Sequence, residues 1–299
     1  MGTKKNKILI LGVTGFVGRN LKEYLERLEA YELLCPSHAE LDLLAEKQVE
    51  DYLCTHKPDV VIDAAVCRNP KYYQNDSPGT ELEQDLRMFF NLEKYHAYYG
   101  KMLYFGSGAE LDKRMDICSA KEDAYPNGVP ANDYGFAKYV IGRNIENSDN
   151  IFNLRLYGLF GKYENWRTTF ISGACCKAIK GLPITIRQNV VFDYLYIDDF
   201  CRIIQWFIEH KPRYHTYNIA SGRKVDLITI AETVKRLSRK DIPIIVCKDG
   251  FGNEYTADIS RLKDEYENLV IEGLDDSVRK LLSYYRSIES EIDLVSLLY

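Results

Sequence analysis

The sequence predicts an α/β protein with a doubly wound parallel sheet and a smaller C-terminal α/β domain. Three observations carry this reading. Strand and helix signals alternate from Lys7 to Leu156, a glycine-rich turn joins the first strand to the first helix, and the pattern loosens toward the C-terminus without a long linker, repeat or low-complexity tract.

The elements follow in order. Lys7–Leu11 is a short apolar run, as expected of a strand buried on both faces. Gly12 to Gly18 makes the turn, and Val17, Leu21, Leu25 and Leu28 then recur at helical spacing. Glu32–Cys35 reads as a second strand. Val49 and Leu53 mark a helix that stops near Pro58. Asp59–Ile62 is a third strand, residues 80–99 a helix, Met102–Phe105 a fourth strand, Tyr134–Ile145 a helix and Ile151–Leu156 a fifth strand. Strands separated by helices pair in parallel through crossovers. Farther on, Ile171–Ile179 reads as helix and Val190–Ile197 as strand. A helix capped by Asp198 or Asp199 is expected to reach His210. Tyr217–Ala220 is a short strand, Leu227–Leu237 an amphipathic helix, and residues 265–299 a helical, mixed-charge end.

Composition excludes several classes of function. A net charge of −5 leaves no broad basic footprint for nucleic acid. No apolar run approaches the roughly 20 residues that span a bilayer, and Ile8 to Leu11 is too short for a signal segment. Cys35, Cys54, Cys67, Cys118, Cys175, Cys176, Cys201 and Cys247 form no CxxC pair, so no metal site is expected, and a reducing cytoplasm suits them.

Gly12, Gly15 and Gly18 set a GxxGxxG spacing between a strand and a helix. The early glycines let the backbone turn tightly and approach a pyrophosphate, and the last lets helix and strand pack closely. The helix N-terminus, with Thr14, Phe16 and Val17, offers N–H groups and a positive dipole end to the phosphates. This is the Rossmann arrangement for a nicotinamide dinucleotide. An NAD site usually carries a carboxylate at the end of the second strand, where this chain has Cys35-Pro36-Ser37-His38. Ser37, His38 or Arg19 would receive a 2′-phosphate, which favours NADP(H) over NAD(H). Asp42 and Leu43 are expected near the adenine, and Ala64 and Ala65 follow the third strand. The expected dinucleotide domain is 1–164 with 187–221, and the expected substrate domain is 165–186 with 222–299.

Tyr134 and Lys138 stand four apart on a predicted helix and share a face. A tyrosine is a poor acid at neutral pH until a cation nearby stabilises its phenolate. Ser107, just after the fourth strand, is placed to bond the oxygen whose proton Tyr134 exchanges.

With these pieces in place, the chain resembles the extended short-chain dehydrogenase/reductases, the NAD-dependent epimerase/dehydratase family, from about residue 7 to residue 235. The likeness rests on Gly12–Gly18, Ala64-Ala65, Ser107, Pro130, Asn132, Tyr134-Gly135, Lys138, Phe160-Gly161, the run Asp193 to Asp199, and Asn218 to Gly222. Ala39 to Leu43, so soon after the second strand, is similar to the branch holding GDP-fucose synthase and dTDP-4-dehydrorhamnose reductase. The resemblance implies nucleoside-diphosphate sugar substrates, with Tyr134 as general acid/base, Lys138 its partner and Ser107 the third member. Asn165, Arg167, Arg187 and Arg223 are the implied substrate contacts, since Phe192 stands where the family often has an arginine. Family dehydratases carry Asp-Glu where this chain has Gly108 and Ala109, which argues against dehydration. GDP-fucose synthase adds a cysteine and a histidine, which here have no counterparts, so 3,5-epimerisation is not expected. Hydride transfer at one carbonyl carbon remains. The expected activity is NADP-dependent reduction of a 4-keto-6-deoxy sugar nucleotide. The alternatives are a C4 epimerase with tightly bound NAD and a non-catalytic dinucleotide-binding sensor. A homodimer through the Tyr139, Val140 and Ile141 region is also expected.

Overall fold

The structure is a computed structural model that describes residues 5–67, 80–124 and 128–298. Its strands are β1 (Asn6–Leu11), β2 (Tyr31–Leu34), β3 (Val60–Asp63), β4 (Lys101–Ser107), β5 (Ile117–Ala120), β6 (Ile151–Leu156), β7 (Gly158–Phe160), β8 (Ile184–Asn189), β9 (Val191–Tyr196), β10 (Thr216–Ile219), β11 (Lys224–Asp226), β12 (Ile244–Phe251) and β13 (Tyr255–Ala257). Its helices are α1 (Phe16–Leu28), α2 (Glu46–His56), α3 (Thr80–Glu93), α4 (Asp133–Ile145), α5 (Phe170–Ile179), α6 (Ile197–Glu209), α7 (Leu227–Ser238), α8 (Ser260–Glu265), α9 (Leu274–Ser287) and α10 (Val295–Leu298).

The chain divides into two compact units, one of residues 1–113, 122–156 and 204–218, the other of 114–121, 157–203 and 219–299. This differs from the expected borders, because 114–121, 157–164, 187–203 and 219–221 cluster with the second unit. The physical reason is pairing: β7, β9 and β13 join one another instead of extending the large parallel sheet.

The first unit is the predicted doubly wound α/β layer. Its sheet runs β2-β1-β3-β4-β6-β10, and the pairs β1–β2, β1–β3, β3–β4 and β4–β6 are parallel. Ile8, Leu9, Ile10, Val61, Ile62, Met102, Leu103 and Leu154 are almost fully buried, which explains the unbroken apolar runs. The strand order reverses at β1, so a crevice opens beyond the carboxyl ends of β1 and β3.

Two helical expectations are corrected. The helix read over 80–99 ends at Glu93, and His96–Tyr98 forms a separate single turn. Asn150 holds that turn by donating to the carbonyls of His96, Tyr99 and Gly100. Neither Asp198 nor Asp199 caps α6, since both lie within its first turn, where their charge favours the dipole.

In the second unit, β11-β9-β13-β5 forms a mixed sheet with β7 beside β9, and β12 pairs with β8. The sequence reading had no strand at β5, β7, β8, β11, β12 or β13. The C-terminal stretch is also less helical than expected: α8, α9 and α10 are separated by turns. The helices α5, α7 and α9 pack on one another.

Candidate active site

The glycine turn sits where the crevice begins. Gly12 holds φ at +74°, and a Cβ there would lie 2.6 Å from the Ala64 carbonyl oxygen. The position therefore demands glycine twice, for its backbone angle and for the close approach of β3's end. Gly15 caps α1 and donates to the Gly12 carbonyl at 3.1 Å. A glycine cap has no side chain to compete for the first-turn N–H groups. This backbone cradle fits a pyrophosphate, and Gly12, Gly15, Phe16, Val17 and Gly18 are the residues that would hold it.

Ser107 ends β4 and is pinned on both sides. Its hydroxyl oxygen accepts from the Ala109 N–H at 3.1 Å, and its own N–H donates to Glu110 Oε1 at 3.2 Å. The two bonds form a capping box on the turn Gly108–Glu110. Glu110 is buried and is held in turn by Arg155 Nε at 2.9 Å and Asn153 Nδ2 at 3.1 Å. A Cβ at Gly142 would come within 2.7 Å of Glu110 Oε2, so that glycine makes room for the carboxylate. Glu110, three residues after Ser107, is thus committed to an ion pair. Sequence reading missed it because its partners lie 43 and 45 residues away.

Lys138 is buried on α4, 2% exposed. Its ammonium donates to the Tyr104 hydroxyl at 2.8 Å and to the Phe105 carbonyl at 3.0 Å. It lies 5.7 Å from the centre of the Tyr134 ring. Asn132 caps α4 by accepting from the Gly135 N–H at 2.7 Å, which fixes where Tyr134 begins the helix. A Cβ on Gly135 would lie 2.8 Å from the Ala109 carbonyl, so the start of α4 abuts the turn after Ser107. The structure therefore gathers Tyr134 and Lys138 beside the end of β4. On the same helix Ile141 belongs to the core, whereas Tyr139 and Val140 are only partly buried.

Behind Lys138 lie Asp63 and Tyr104, which the sequence reading did not single out, and Asp85, which stands near where the family usually has an asparagine. Asp63 ends β3 and is paired in register with Tyr104. It is 4% exposed, and its Oδ1 accepts from the Ala65 N–H at 3.2 Å. Burial pushes its carboxyl up to about 6, against the opposing pull of Lys138. Asp85, also buried, accepts from the Cys67 N–H at 2.7 Å. Tyr104 is held well above an ordinary phenol by burial first and by Asp63 next.

At the end of β2, Ser37 has a partner within the chain. Ser37 gives both its N–H and its hydroxyl to Glu40, at 2.7 and 2.8 Å. A carboxylate thus occupies the partner position proposed for a phosphate. His38 projects into solvent, with Asp42 4.0 Å away. Asp42 accepts from the Leu44 N–H at 2.9 Å, and Leu43 packs into the core. A hollow of about 460 Å³ does lie beside the glycine turn, lined by Val13, Thr14, Arg19, Lys22, Glu23 and Glu26. Burial pushes the Cys35 thiol, next to the end of β2, upward, and the Lys22 charge opposes that rise. Lys22 went unnoticed because it falls outside the glycine spacing.

The implied substrate contacts all lie in the second unit. Asn165 is exposed and accepts from the Arg167 N–H at 3.2 Å, and Arg167 stacks 4.1 Å from the Trp166 ring centre. Arg187 is exposed on β8. Arg223 is tied down, donating to the carbonyls of Ile271 and Glu272 at 2.9 Å each. Asn165 and Arg167 are therefore together, and Arg223 is occupied by backbone. Next to Asn165, burial pushes the Glu164 carboxyl up to about 7.

The pattern of the NAD dependent epimerase/dehydratase family matches residues 8–220. The chain belongs to that family. It is thereby an NAD(P)-dependent enzyme, as the ordered motifs implied. GDP-L-colitose synthase of Yersinia pseudotuberculosis is 26% identical over 253 residues, 78% of this chain and 81% of that protein. The dTDP-4-dehydro-6-deoxyglucose reductase of Escherichia coli is 24% identical over 322 residues, covering 96% of this chain and 99% of that one. A crystal structure of a GDP-L-fucose synthetase from Naegleria fowleri bound to NADP superposes with a TM-score of 0.82 at 14% identity, covering 96% and 95% of the two chains.

Proposed function

We propose that this enzyme reduces a nucleoside-diphosphate 4-keto-6-deoxy sugar with NADPH, Tyr134 giving the proton. The observation that carries the reading is the buried Lys138 ammonium, placed between the end of β4 and Tyr134 at the carboxyl edge of the sheet. Two named relatives, a colitose synthase and a dehydro-deoxyglucose reductase, support the substrate class.

Bound NADPH would supply the hydride. The chain's own residues do the rest. Tyr134 donates its hydroxyl proton to the carbonyl oxygen, and the Lys138 charge stabilises the phenolate left behind. Ser107 accepts from Ala109, which leaves its hydroxyl proton to bond the same substrate oxygen. Gly108 and Ala109 offer no carboxylate for elimination, and Glu110 is committed to Arg155. Arg19 and Lys22, beside the glycine turn, are the cations proposed to select the 2′-phosphate.

The test is incubation of the enzyme with NADPH and a panel of 4-keto-6-deoxy sugar nucleotides, following loss of reduced-nicotinamide absorbance. Tyr134→Phe should lower turnover by roughly 10² to 10⁴ while NADPH still binds. Sugar conversion without net absorbance change would instead mark a C4 epimerase. Full turnover by Tyr134→Phe would sink the assignment.

A further inference from the structure

We propose that Asp63 and Tyr104 are positioning residues for Lys138. Tyr104 would anchor the ammonium, and Asp63 would supply the buried counter-charge that keeps it protonated beside Tyr134. The inference rests on the functional reading above in one respect, that Lys138 serves Tyr134.

The geometry is specific. Of the three N–H bonds an ammonium offers, one goes to the Tyr104 hydroxyl at 2.8 Å and one to the Phe105 carbonyl at 3.0 Å. The ammonium also lies 4.4 Å from the centre of the Tyr104 ring. That ring packs edge-on against Phe89 of α3, 5.2 Å between centres. Neither oxygen bonded to Lys138 carries a formal charge, since Tyr104 titrates far above neutrality. A buried ammonium needs a negative charge nearby. Asp63 stands in register beside Tyr104 on the adjoining strand, and paired positions of neighbouring strands present their side chains on one face.

The charged and titratable groups facing Asp63 come from each neighbouring element. They are Lys138 of α4, Asp85 of α3, Tyr104 of β4 and, beyond them, Tyr99. Among the described residues, Lys138 is the sole cation in that group. Burial lifts the Asp63 carboxyl to about 6, so the counter-charge is present at pH 8 and lost toward pH 5. A purely structural carboxylate is instead sealed by donors on several sides, as Glu110 is.

The decisive experiment needs no substrate. Melting of the purified full chain is followed from pH 5 to pH 8 for wild type, Asp63→Asn, Lys138→Met and the double variant. Asp63→Asn should melt above wild type at pH 8, with the gap closing toward pH 5. In the Lys138→Met background that gap should widen, because the carboxylate has lost its cation. A gap that ignores pH, or one unchanged by Lys138→Met, overturns the inference. Once a substrate is in hand, Asp63→Asn should move the basic limb of kcat/KM to lower pH by roughly half a unit to one unit. It should also erase an acid-side inflection near pH 6. Tyr104→Phe should lower kcat with little change in the KM of the sugar nucleotide. A normal wild type whose pH profile Asp63→Asn leaves untouched overturns the inference alone. Full activity in Tyr134→Phe overturns the functional reading, and the melting result stands apart from it.

Discussion

Glu110 and Asp63 both lie at the carboxyl edge of the same parallel sheet, 1% and 4% exposed. Their surroundings differ. Glu110 receives Arg155, two bonds from Asn153 and the Ser107 N–H. Asp63 receives the Ala65 N–H and faces Lys138 without a direct ion pair. The donors on Glu110 hold the turn after Ser107 in place. Asp63, with a single backbone donor among the described residues, is pushed up to about 6 by burial and so responds to pH. Two acids a few residues from one site thus have opposite uses: one makes Ser107 rigid, the other stays adjustable behind Lys138.

The comparison is tested most severely at Arg155. Arg155→Met leaves Glu110 buried without its cation and should cost about 3–5 kcal/mol in chemical denaturation. A cost below about 1 kcal/mol would mean that Glu110 is not held as the ion pair requires. Next in size is Asp63→Asn. Its carboxyl rises from 3.8 to about 6 on folding, a linkage of at most about 3 kcal/mol. Because the folded value is the higher one, the stabilisation is full below the unfolded value and is lost as pH rises through about 6. The variant should therefore be the more stable protein at pH 8 and match wild type near pH 4. Equal denaturation midpoints at both pH values would mean that folding does not raise the Asp63 carboxyl. The smallest effect on stability belongs to Lys22, whose pairing with Glu26 at 3.7 Å is solvent-exposed. Lys22→Ala should change stability by less than about 1 kcal/mol. In a titration it should nevertheless weaken NADPH roughly tenfold, about 1.4 kcal/mol, and leave NADH unaffected. Equal loss for both nucleotides would move the 2′-phosphate contact elsewhere.

The same contrast explains which parts were legible beforehand. The strands of the large sheet are buried on both faces, so β1, β3, β4 and β6 announced themselves as apolar runs. β12 passed unread because nearly all of it is exposed, including Ile245, Val246 and Phe251, so no burial pattern marks it. β5, β7, β11 and β13 are only three or four residues long, too short to show a period. At Ser37 the partner within the chain is Glu40, three residues on, a pairing the reading along the chain did not make.

Sequence alone determined the features that depend on near neighbours. These are the glycine turn at Gly12, Gly15 and Gly18, the helical pairing of Tyr134 with Lys138, and the alternation that makes a parallel sheet. Each is set by backbone angles or by a spacing of a few residues, so it can be read along the chain. Tertiary structure decided the charge partners. Arg155 meets Glu110 across 45 residues, Lys138 meets Tyr104 across 34, and Asp63 meets Tyr104 only because β3 and β4 lie side by side. Electrostatic strength depends on distance and burial in space, and no one-dimensional spacing carries either.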